Sequence, residues 1–305
     1  MSAISLNKIT KTYNKGKTVA VDEISFSVDK GEIFGLIGPD GAGKTSIFRI
    51  LTTLLLPDGG SAIVDGHDVV KDYNAIRSSI GYMPGKFSLY QDLTVEENLN
   101  FFAALFGTTV KDNYEMIRDI YVQLEPFKTR RSGKLSGGMK QKLALCCALV
   151  HKPTLLFLDE PTTGVDAVSR EEFWDTLIKL KKQGITILVS TPYMDEASRC
   201  DRIALLQTGK ILAMDTPANI VKAYKGDLYS VKSDSMHKLP KDLREYENTQ
   251  DCFSFGEYMH ITFKNDDTEN GQKLTKYLQG KGYKDILCNG VEPVIEDCFI
   301  KLLKQ

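Results

Sequence analysis

The sequence has no long apolar segment. No window approaches the roughly 18 consecutive apolar residues that a membrane-spanning helix needs, and the richest stretches, "LALCCALV" and "FFAALFG", have the length of core helices. The stretch "MSAISLNKITKTY" also lacks the apolar region of a signal peptide. These absences argue against a membrane-spanning or secreted protein, so we expect a cytoplasmic chain with reduced thiols.

Metal-ligand spacings and clusters of one charge sign are also lacking. The six cysteines are scattered, and the adjacent Cys146 and Cys147 lie in an apolar helical pattern, which predicts buried thiols. The formal net charge of −1 gives no support to nucleic-acid binding, which needs clustered Lys and Arg. We therefore expect no nucleic-acid partner. The histidines have no partner spacing, and we interpret them as incidental: His67, His151, His237 and His260.

Strand-like and helix-like runs alternate through residues 1–215. The short apolar stretches "EIFGLIG", "TLLFLDE" and "GITILVST" predict buried parallel strands of an α/β core. "GSAIVDG" and "RIALLQTGKILAMD" predict antiparallel strands, the second a hairpin turning at Thr208 and Gly209. Beyond this region the pattern changes to short strands and helices with polar joints. We therefore predict a domain of residues 1–225 and a small α+β domain of residues 226–305.

The stretch "GLIGPDGAGKTS" carries the strongest chemical signal. Gly38, four residues, Gly43, Lys44 and Thr45 fit the phosphate-loop pattern between a predicted strand and a predicted helix. Glycine lets backbone N–H groups point at phosphate oxygens, and the helix N-terminus adds its positive end. Lys44 would reach the β- and γ-phosphates and Thr45 would bind Mg²⁺; a glycine-rich turn without a ligand is the alternative. The predicted nucleotide contacts in this loop are Gly38, Pro39, Asp40, Gly41, Ala42, Gly43, Lys44, Thr45 and Ser46.

The stretch "TLLFLDEPTTG" supplies the acids that such a site requires. Four apolar residues, Leu155 to Leu158, predict a buried strand whose carboxyl end directs Asp159 toward Mg²⁺. Glu160 follows directly and is placed to polarise an attacking water, so it is the predicted catalytic residue. Acids commonly end strands, and the segment is informative because it accompanies the phosphate loop.

The segment "LSGGMKQKLAL", just upstream of "LLFLDEPTTGVD", resembles the signature of ATP-binding cassettes followed by their Walker B and D-loop motifs. Residues 3–215 are thus similar to the ABC transporter ATPase family, and "LSGGMKQ" with "TTGVDAVSR" resembles its ABC-2-type drug-export branch. The resemblance implies an α/β fold: a P-loop ABC-type nucleotide-binding domain with a RecA-like core, an antiparallel β subdomain and a helical subdomain. It also implies ATP and Mg²⁺ as cofactors, and an ATPase that powers export through separate membrane-spanning permease subunits on the cytoplasmic face of the cell membrane.

The family's head-to-tail dimer implies a second cassette as a partner. Ser136, Gly137 and Gly138 open a predicted helix that continues through Leu149, and its N-terminus would bind ATP held by the other cassette. Asp166, in the D-loop position, would lie across that interface. A plain helix cap is the alternative for these residues if the phosphate loop is disregarded.

Aromatic residues indicate two further contacts. Tyr13 occupies the family's adenine-stacking position, and a tyrosine on a strand face is the alternative. Phe101, Phe102 and Phe106 recur at helical spacing and predict either core packing or a docking face for a membrane partner.

Two positions depart from the family pattern. Gly85 stands where members usually have a glutamine that reaches Mg²⁺ and the attacking water, and Lys86 beside it cannot mimic a neutral amide. Pro192 stands where members usually have a histidine that reaches the γ-phosphate, and proline offers neither a side-chain donor nor an N–H. We expect ATP binding to persist and hydrolysis on this chain's own phosphate loop to be impaired. Three alternatives stay open: a homodimer with two weak sites, a heterodimer with an intact cassette, and a regulatory cassette.

Overall fold

The computed structural model describes residues 2–265 and 267–304, which form two compact units. One unit comprises residues 2–219 and 302–304, and the other comprises the described residues between Ile220 and Lys301. The boundary predicted at residue 225 lies a few positions inside the second unit and stays a prediction. Within the described residues, no helix has both the length and the apolarity required to cross a bilayer.

The first unit contains an antiparallel sheet and a larger, mainly parallel one. The strands are β1 (Ser2–Tyr13), β2 (Thr18–Asp29), β3 (Ile33–Ile37), β4 (Gly59–Val64), β5 (His67–Asp68), β6 (Ile80–Met83), β7 (Leu155–Asp159), β8 (Thr186–Thr191), β9 (Arg202–Gln207) and β10 (Lys210–Asp215). The antiparallel sheet has the order β2-β1-β4-β5, and the larger sheet has the order β10-β9-β3-β8-β7-β6, in which β10 alone runs antiparallel to its neighbour.

Three central strands confirm the predicted parallel core. Every residue of β3, β7 and β8 is buried, as expected for strands covered on both faces. Phe48 and Phe157 pack edge to face beneath the sheet, with ring centroids 6.1 Å apart. The predicted hairpin is also confirmed, because β9 and β10 flank a turn in which Thr208 and Gly209 both have positive φ.

Helices separate several of these strands along the chain. The predicted signature helix is confirmed as α5, which begins at Gly137 after the cap Ser136 and ends at Leu149. Cys146 and Cys147 are buried in it as free thiols, as predicted. The helices are α1 (Lys44–Leu51), α2 (Tyr73–Ser79), α3 (Val95–Leu105), α4 (Tyr114–Tyr121), α5 (Gly137–Leu149), α6 (Ala167–Lys182) and, reaching into the second unit, α7 (Pro217–Lys222).

The second unit is α+β, with an antiparallel sheet in which Thr249–Phe255, Tyr258–Phe263, Leu228–Lys232 and Leu287–Val291 lie side by side in that order. Its apolar core joins the sheet to two helices through residues such as Val231, Leu243, Ile261 and Leu274. The elements are β11 (Leu228–Lys232), α8 (Leu239–Glu245), β12 (Thr249–Phe255), β13 (Tyr258–Phe263), α9 (Asn270–Gly280), β14 (Leu287–Val291) and α10 (Ile295–Leu302).

Two of the histidines interpreted as incidental have defined partners in the fold, and their lack of a functional role stays a prediction. His260 Nδ1 lies 2.7 Å from Asp297 Oδ1 in a buried pair, and its ring stacks on Phe255. The ring of His151 stacks on Phe106 at 3.7 Å, and its Nε2 lies 3.0 Å from the carbonyl oxygen of Ile80. Asp297, Phe106 and Ile80 are far from these histidines in the chain, so histidine spacing could not show them.

Candidate nucleotide-binding site

The phosphate loop, residues 38–45, joins the buried end of β3 to the first turn of α1. Gly41 and Gly43 have φ angles of 79° and 104°, a region that favours glycine. A Cβ at Gly43 would lie 2.2 Å from a backbone oxygen of β2, and one at Gly38 would lie 2.3 Å from a backbone oxygen of β9. A Cβ at Gly41 would meet no atom within 4 Å. The loop is therefore packed tightly at both ends and open in its middle, as a phosphate cradle requires.

Lys44 is held inside this loop. Its side chain is 3% exposed, and its Nζ donates to the carbonyl oxygens of Gly38 at 2.7 Å and Pro39 at 3.0 Å. The same ammonium lies 3.1 Å from Oε1 of Glu160, whose side chain is 21% exposed. The fold thus brings together the two charged residues predicted to bind phosphate and to activate water.

Asp159 ends β7 beside the neighbouring strand β8, and Glu160 follows it directly. Asp159 is buried, and its Oδ1 accepts a hydrogen bond of 2.7 Å from Ser190 Oγ. Glu160 has a φ of 51°, and its N–H donates both to the carbonyl oxygen of Ser190 at 3.1 Å and to Ser190 Oγ at 2.9 Å. The second carboxylate oxygen of Asp159, Oδ2, lies toward position 85, where a Cβ would be 3.7 Å from it.

The donor atoms suit Mg²⁺ bound together with a nucleotide. Thr45, in the first turn of α1, offers a hydroxyl and Asp159 offers a carboxylate, both hard oxygen donors. Across residues 2–265 and 267–304, no cluster of three or more His, Cys, Asp or Glu residues could hold a metal ion. Mg²⁺ usually takes one or two protein ligands and completes its shell with phosphate oxygens and water, so this sparse set fits.

Tyr13 lies at the end of β1 next to the helix that follows the loop. Its hydroxyl is 3.1 Å from Oγ of Ser46, two residues after Lys44. The tyrosine ring is therefore adjacent to the phosphate loop, which is where a stacked base would have to lie. Its adenine contact stays a prediction.

Comparison with known proteins identifies the family. A family model described as ABC transporter matches residues 21–163. The doxorubicin resistance ATP-binding protein DrrA of Mycobacterium tuberculosis (strain ATCC 25618 / H37Rv) is 40% identical over 248 residues, which cover 80% of this chain and 73% of that protein. The chain belongs to the ABC transporter ATP-binding family. The predicted family is confirmed.

Other relatives agree with this assignment. The probable multidrug ABC transporter ATP-binding protein YbhF of Escherichia coli (strain K12) is 38% identical over 306 residues, which is 99% of this chain. The chain spans about half of that relative, 52% of its length. Nod factor export ATP-binding protein I of Rhizobium sp. (strain N33) is 40% identical over 227 residues, covering 73% of this chain and 74% of that protein.

Solved structures confirm the predicted fold class. The ATP-binding subunit of an ABC transporter superposes with a TM-score of 0.65 and 27% identity, over 72% of this chain and 92% of that one. The dimeric ATP-binding cassette MJ0796, in a post-hydrolysis state with ADP and phosphate, has a TM-score of 0.64 and 25% identity over 70% and 98% of the two chains. The first unit of this chain is therefore an ABC-type nucleotide-binding cassette.

The signature segment of the cassette, residues 135–141, packs against the D-loop of the same chain. A Cβ at Gly138 would lie 2.8 Å from Ser169 Oγ, and one at Gly137 would lie 3.1 Å from the carbonyl oxygen of Gly164. Asp166 caps α6 by accepting the N–H of Ser169 at 3.0 Å. This hydrogen bond lowers the pKa of the Asp166 carboxyl. The glycines thus have a packing role within the cassette, which the sequence did not reveal.

The loop that contains Pro192 is held by a contact with α6. The ring of Tyr193 lies under the guanidinium of Arg170, with 4.1 Å between Cζ and the ring centroid, and its N–H donates to Thr191 Oγ1 at 3.0 Å. Tyr193 is thus engaged by α6.

Sequence reasoning missed the residue that organises this loop, Glu196. Its buried carboxylate accepts hydrogen bonds from Thr191 Oγ1 at 2.5 Å and Thr162 Oγ1 at 3.2 Å, and it pairs with Arg170 Nε at 3.0 Å. Burial acts to lower the pKa of the Arg170 guanidinium, but Glu196 and Asp195 raise it above its usual value. The sequence shows two adjacent acids in "PYMDEA", Asp195 and Glu196, but no local pattern indicates that Glu196 is the buried one.

Replacing Arg170 with alanine should destabilise the cassette by about 1–3 kcal/mol, because the buried carboxylate of Glu196 loses its charged donor and keeps only hydroxyls. Urea unfolding would measure this change. Arg199→Ala is the matched control, since its ion pairs with Glu171 and Asp175 lie at the surface and should be worth less than about 1 kcal/mol. Equal losses in the two variants would contradict a buried anchoring role for Glu196.

Proposed function

We propose that this chain is the ATP-binding and ATP-hydrolysing subunit of an ABC exporter. It works on the cytoplasmic face of the cell membrane with separate membrane-spanning permease subunits, and ATP drives its association with a second cassette. The observation that carries this proposal is the meeting of Lys44 and Glu160, 3.1 Å apart, where the phosphate loop faces the end of β7. Export is the proposed direction because the relatives' names describe multidrug, doxorubicin-resistance and Nod-factor-export proteins.

Each predicted residue has a role in this proposal. The phosphate-loop backbone and Lys44 bind the phosphates, Tyr13 stacks on the adenine, and Glu160 accepts the proton of the attacking water. Thr45 and Asp159 would hold Mg²⁺, which would supply positive charge against the charge that develops on the phosphates. The residues proposed to serve the partner cassette are Ser136, Gly137, Gly138 and Asp166. The domain division at residue 225, with residues 226–305 as an accessory domain, is part of the same proposal.

The apolar face of α3 supports a membrane partner. Leu105 is 64% exposed and Phe101 is 41% exposed, and Phe102 lines a mainly apolar cavity of about 280 Å³ together with Leu54. Exposed apolar surface of this kind often marks a protein–protein contact. We propose that a cytoplasmic segment of the permease docks there.

Hydrolysis at this chain's own phosphate loop is proposed to be slow. A Cβ at Gly85 would lie 3.0 Å from the backbone oxygen of Asp159, so the missing glutamine belongs directly beside the metal-binding carboxylate. The signature segment is complete, and pairing with an intact cassette would give one weak and one competent site. The second candidate function is a regulatory cassette that binds ATP and hydrolyses it negligibly.

Replacing Pro192 with histidine should raise kcat by about 10-fold or more while leaving the Kd for ATP nearly unchanged, since a positioned acid–base group typically contributes about 10²–10⁴-fold. Steady-state ATPase assays and ATP titrations, on the chain alone and with its membrane subunits, would measure both quantities. Gly85→Gln should gain less by itself, because its Cβ requires the backbone of Asp159 to shift. If kcat were unchanged both in Pro192→His and in the variant that combines Pro192→His with Gly85→Gln, the proposal that these two positions slow hydrolysis would be contradicted.

A further inference from the structure

We propose that Ser190 is a positioning residue that orients both the metal-binding carboxylate and the catalytic carboxylate of this cassette. The inference rests on the ATPase function proposed above. Ser190 lies on β8, two positions before Pro192. Pro192 stands where the family pattern predicts a histidine.

The hydroxyl of Ser190 connects the last residue of β7, Asp159, with the residue that follows it, Glu160. Ser190 pairs with Asp159 in the parallel register of β7 and β8, and both residues are buried. A serine hydroxyl has one proton to donate and lone pairs to accept. The proton goes to Oδ1 of Asp159 at 2.7 Å, and the oxygen accepts the N–H of Glu160 at 2.9 Å.

The first consequence concerns which oxygen Asp159 presents to a metal. Oδ1 is engaged by Ser190, and Oδ2 is the carboxylate oxygen that lies toward position 85. Gly85 has no side chain to bond this carboxylate. In the part of the chain that the structure describes, Ser190 is the one side chain that donates a hydrogen bond to it. Loss of such an outer partner typically costs about 10–100-fold in metal affinity or activity.

The second consequence concerns the backbone of Glu160. Its φ of 51° is uncommon for a residue other than glycine and needs support from its surroundings. That support comes from Ser190, which accepts the Glu160 N–H through both its carbonyl oxygen at 3.1 Å and its hydroxyl at 2.9 Å. The conformation directs the Glu160 carboxylate to within 3.1 Å of Lys44 Nζ. Ser190 therefore acts on hydrolysis through two residues and touches no reacting atom.

The test is Ser190→Ala, with Ser190→Thr as the variant that keeps the hydroxyl. We expect the alanine variant to bind Mn²⁺ about 10–100-fold more weakly in its ATP complex, followed by electron paramagnetic resonance, and to lose kcat by a similar factor. Its Kd for ATP with excess EDTA should change less than about twofold, because the phosphate loop is untouched. Ser190→Thr should restore most of the Mn²⁺ affinity.

Thr186→Val is the matched control. Thr186 lies on the same strand, is buried, and accepts the N–H of Gly31 at 2.9 Å, but it stands at the opposite end from Asp159. This variant should keep the Mn²⁺ affinity and kcat of the wild type. Wild-type Mn²⁺ affinity in Ser190→Ala, an equal loss in Thr186→Val, or no recovery in Ser190→Thr would each overturn the positioning role.

The same measurements distinguish failure of the proposed ATPase function from failure of the positioning role. A wild type that binds Mn²⁺ and ATP but hydrolyses none refutes the ATPase, while the Mn²⁺ titration still decides whether Ser190 orients Asp159. Retained Mn²⁺ affinity in Ser190→Ala beside an active wild type refutes the positioning role alone. A wild type that binds no ATP refutes both.

Discussion

Replacing Lys44 with alanine should weaken ATP binding by about 100-fold or more. Charge-assisted hydrogen bonds are worth about 1.5–3 kcal/mol each, and every 1.4 kcal/mol changes an affinity about tenfold. Lys44 is buried with its ammonium held among the loop carbonyls, so it is oriented before the phosphates arrive. Isothermal titration of the purified chain with ATP would measure the change in Kd.

Two controls make this result interpretable. Lys30→Ala removes an exposed lysine that pairs with Asp65 at the surface, and it should leave the Kd for ATP unchanged. Thermal unfolding should show that Lys44→Ala still folds, because Glu160 keeps access to solvent when it loses its partner. If Lys44→Ala bound ATP as tightly as the wild type, the assignment of the phosphate site would be wrong.

Replacing Glu160 with glutamine should reduce kcat by about 100-fold or more, with the Kd for ATP changed little. The amide has nearly the size of the carboxylate but cannot accept the proton of the attacking water, and such groups contribute about 10²–10⁴-fold. Binding should persist because its main contacts lie in residues 38–46, which keep their sequence and backbone. Single-turnover hydrolysis of radiolabelled ATP, with a filter-binding assay beside it, would separate the two steps.

The comparison with wild type distinguishes the two candidate functions. Glu171→Gln removes an acid at the surface of α6 that pairs with Arg199, and it should hydrolyse ATP at the wild-type rate. A wild type that hydrolyses ATP faster than Glu160→Gln supports the exporter ATPase. Equal inactivity of the two in the presence of the membrane subunits favours the regulatory cassette instead. Full activity in Glu160→Gln would show that another group activates the water.

The departures from the family pattern gain a physical meaning in the fold. Gly85 lies against Asp159, the residue proposed to hold the metal, and Pro192 follows directly on a strand whose Ser190 bonds both acids. Both positions therefore adjoin the end of the site where we propose that water is activated. The phosphate loop makes its contacts elsewhere. Gly43 packs against β2, Gly38 packs against β9, and Lys44 donates to a carbonyl oxygen of the loop itself.

Local features of the sequence determined the cassette. Continuous apolar runs bounded by Gly, Pro or acids predicted β3, β7 and β8, because strands buried on both faces must be apolar throughout. The phosphate loop and the signature helix were equally predictable, since each is a short backbone geometry that needs glycine or a capping serine at fixed positions. Family membership followed from the order of these motifs.

Only the tertiary structure decided which side chains meet. Ser190 contacts Asp159 and Glu160, and Glu196 contacts Thr162 and Arg170, through positions about 25 to 35 residues apart in the chain. The register of β7 against β8 creates the first set, and the packing of α6 beside the loop after β8 creates the second. The sequence gives the chemical type of each side chain and its local pattern. Its contact partner is set by strand register and burial, which arise only when distant segments of the chain pack together.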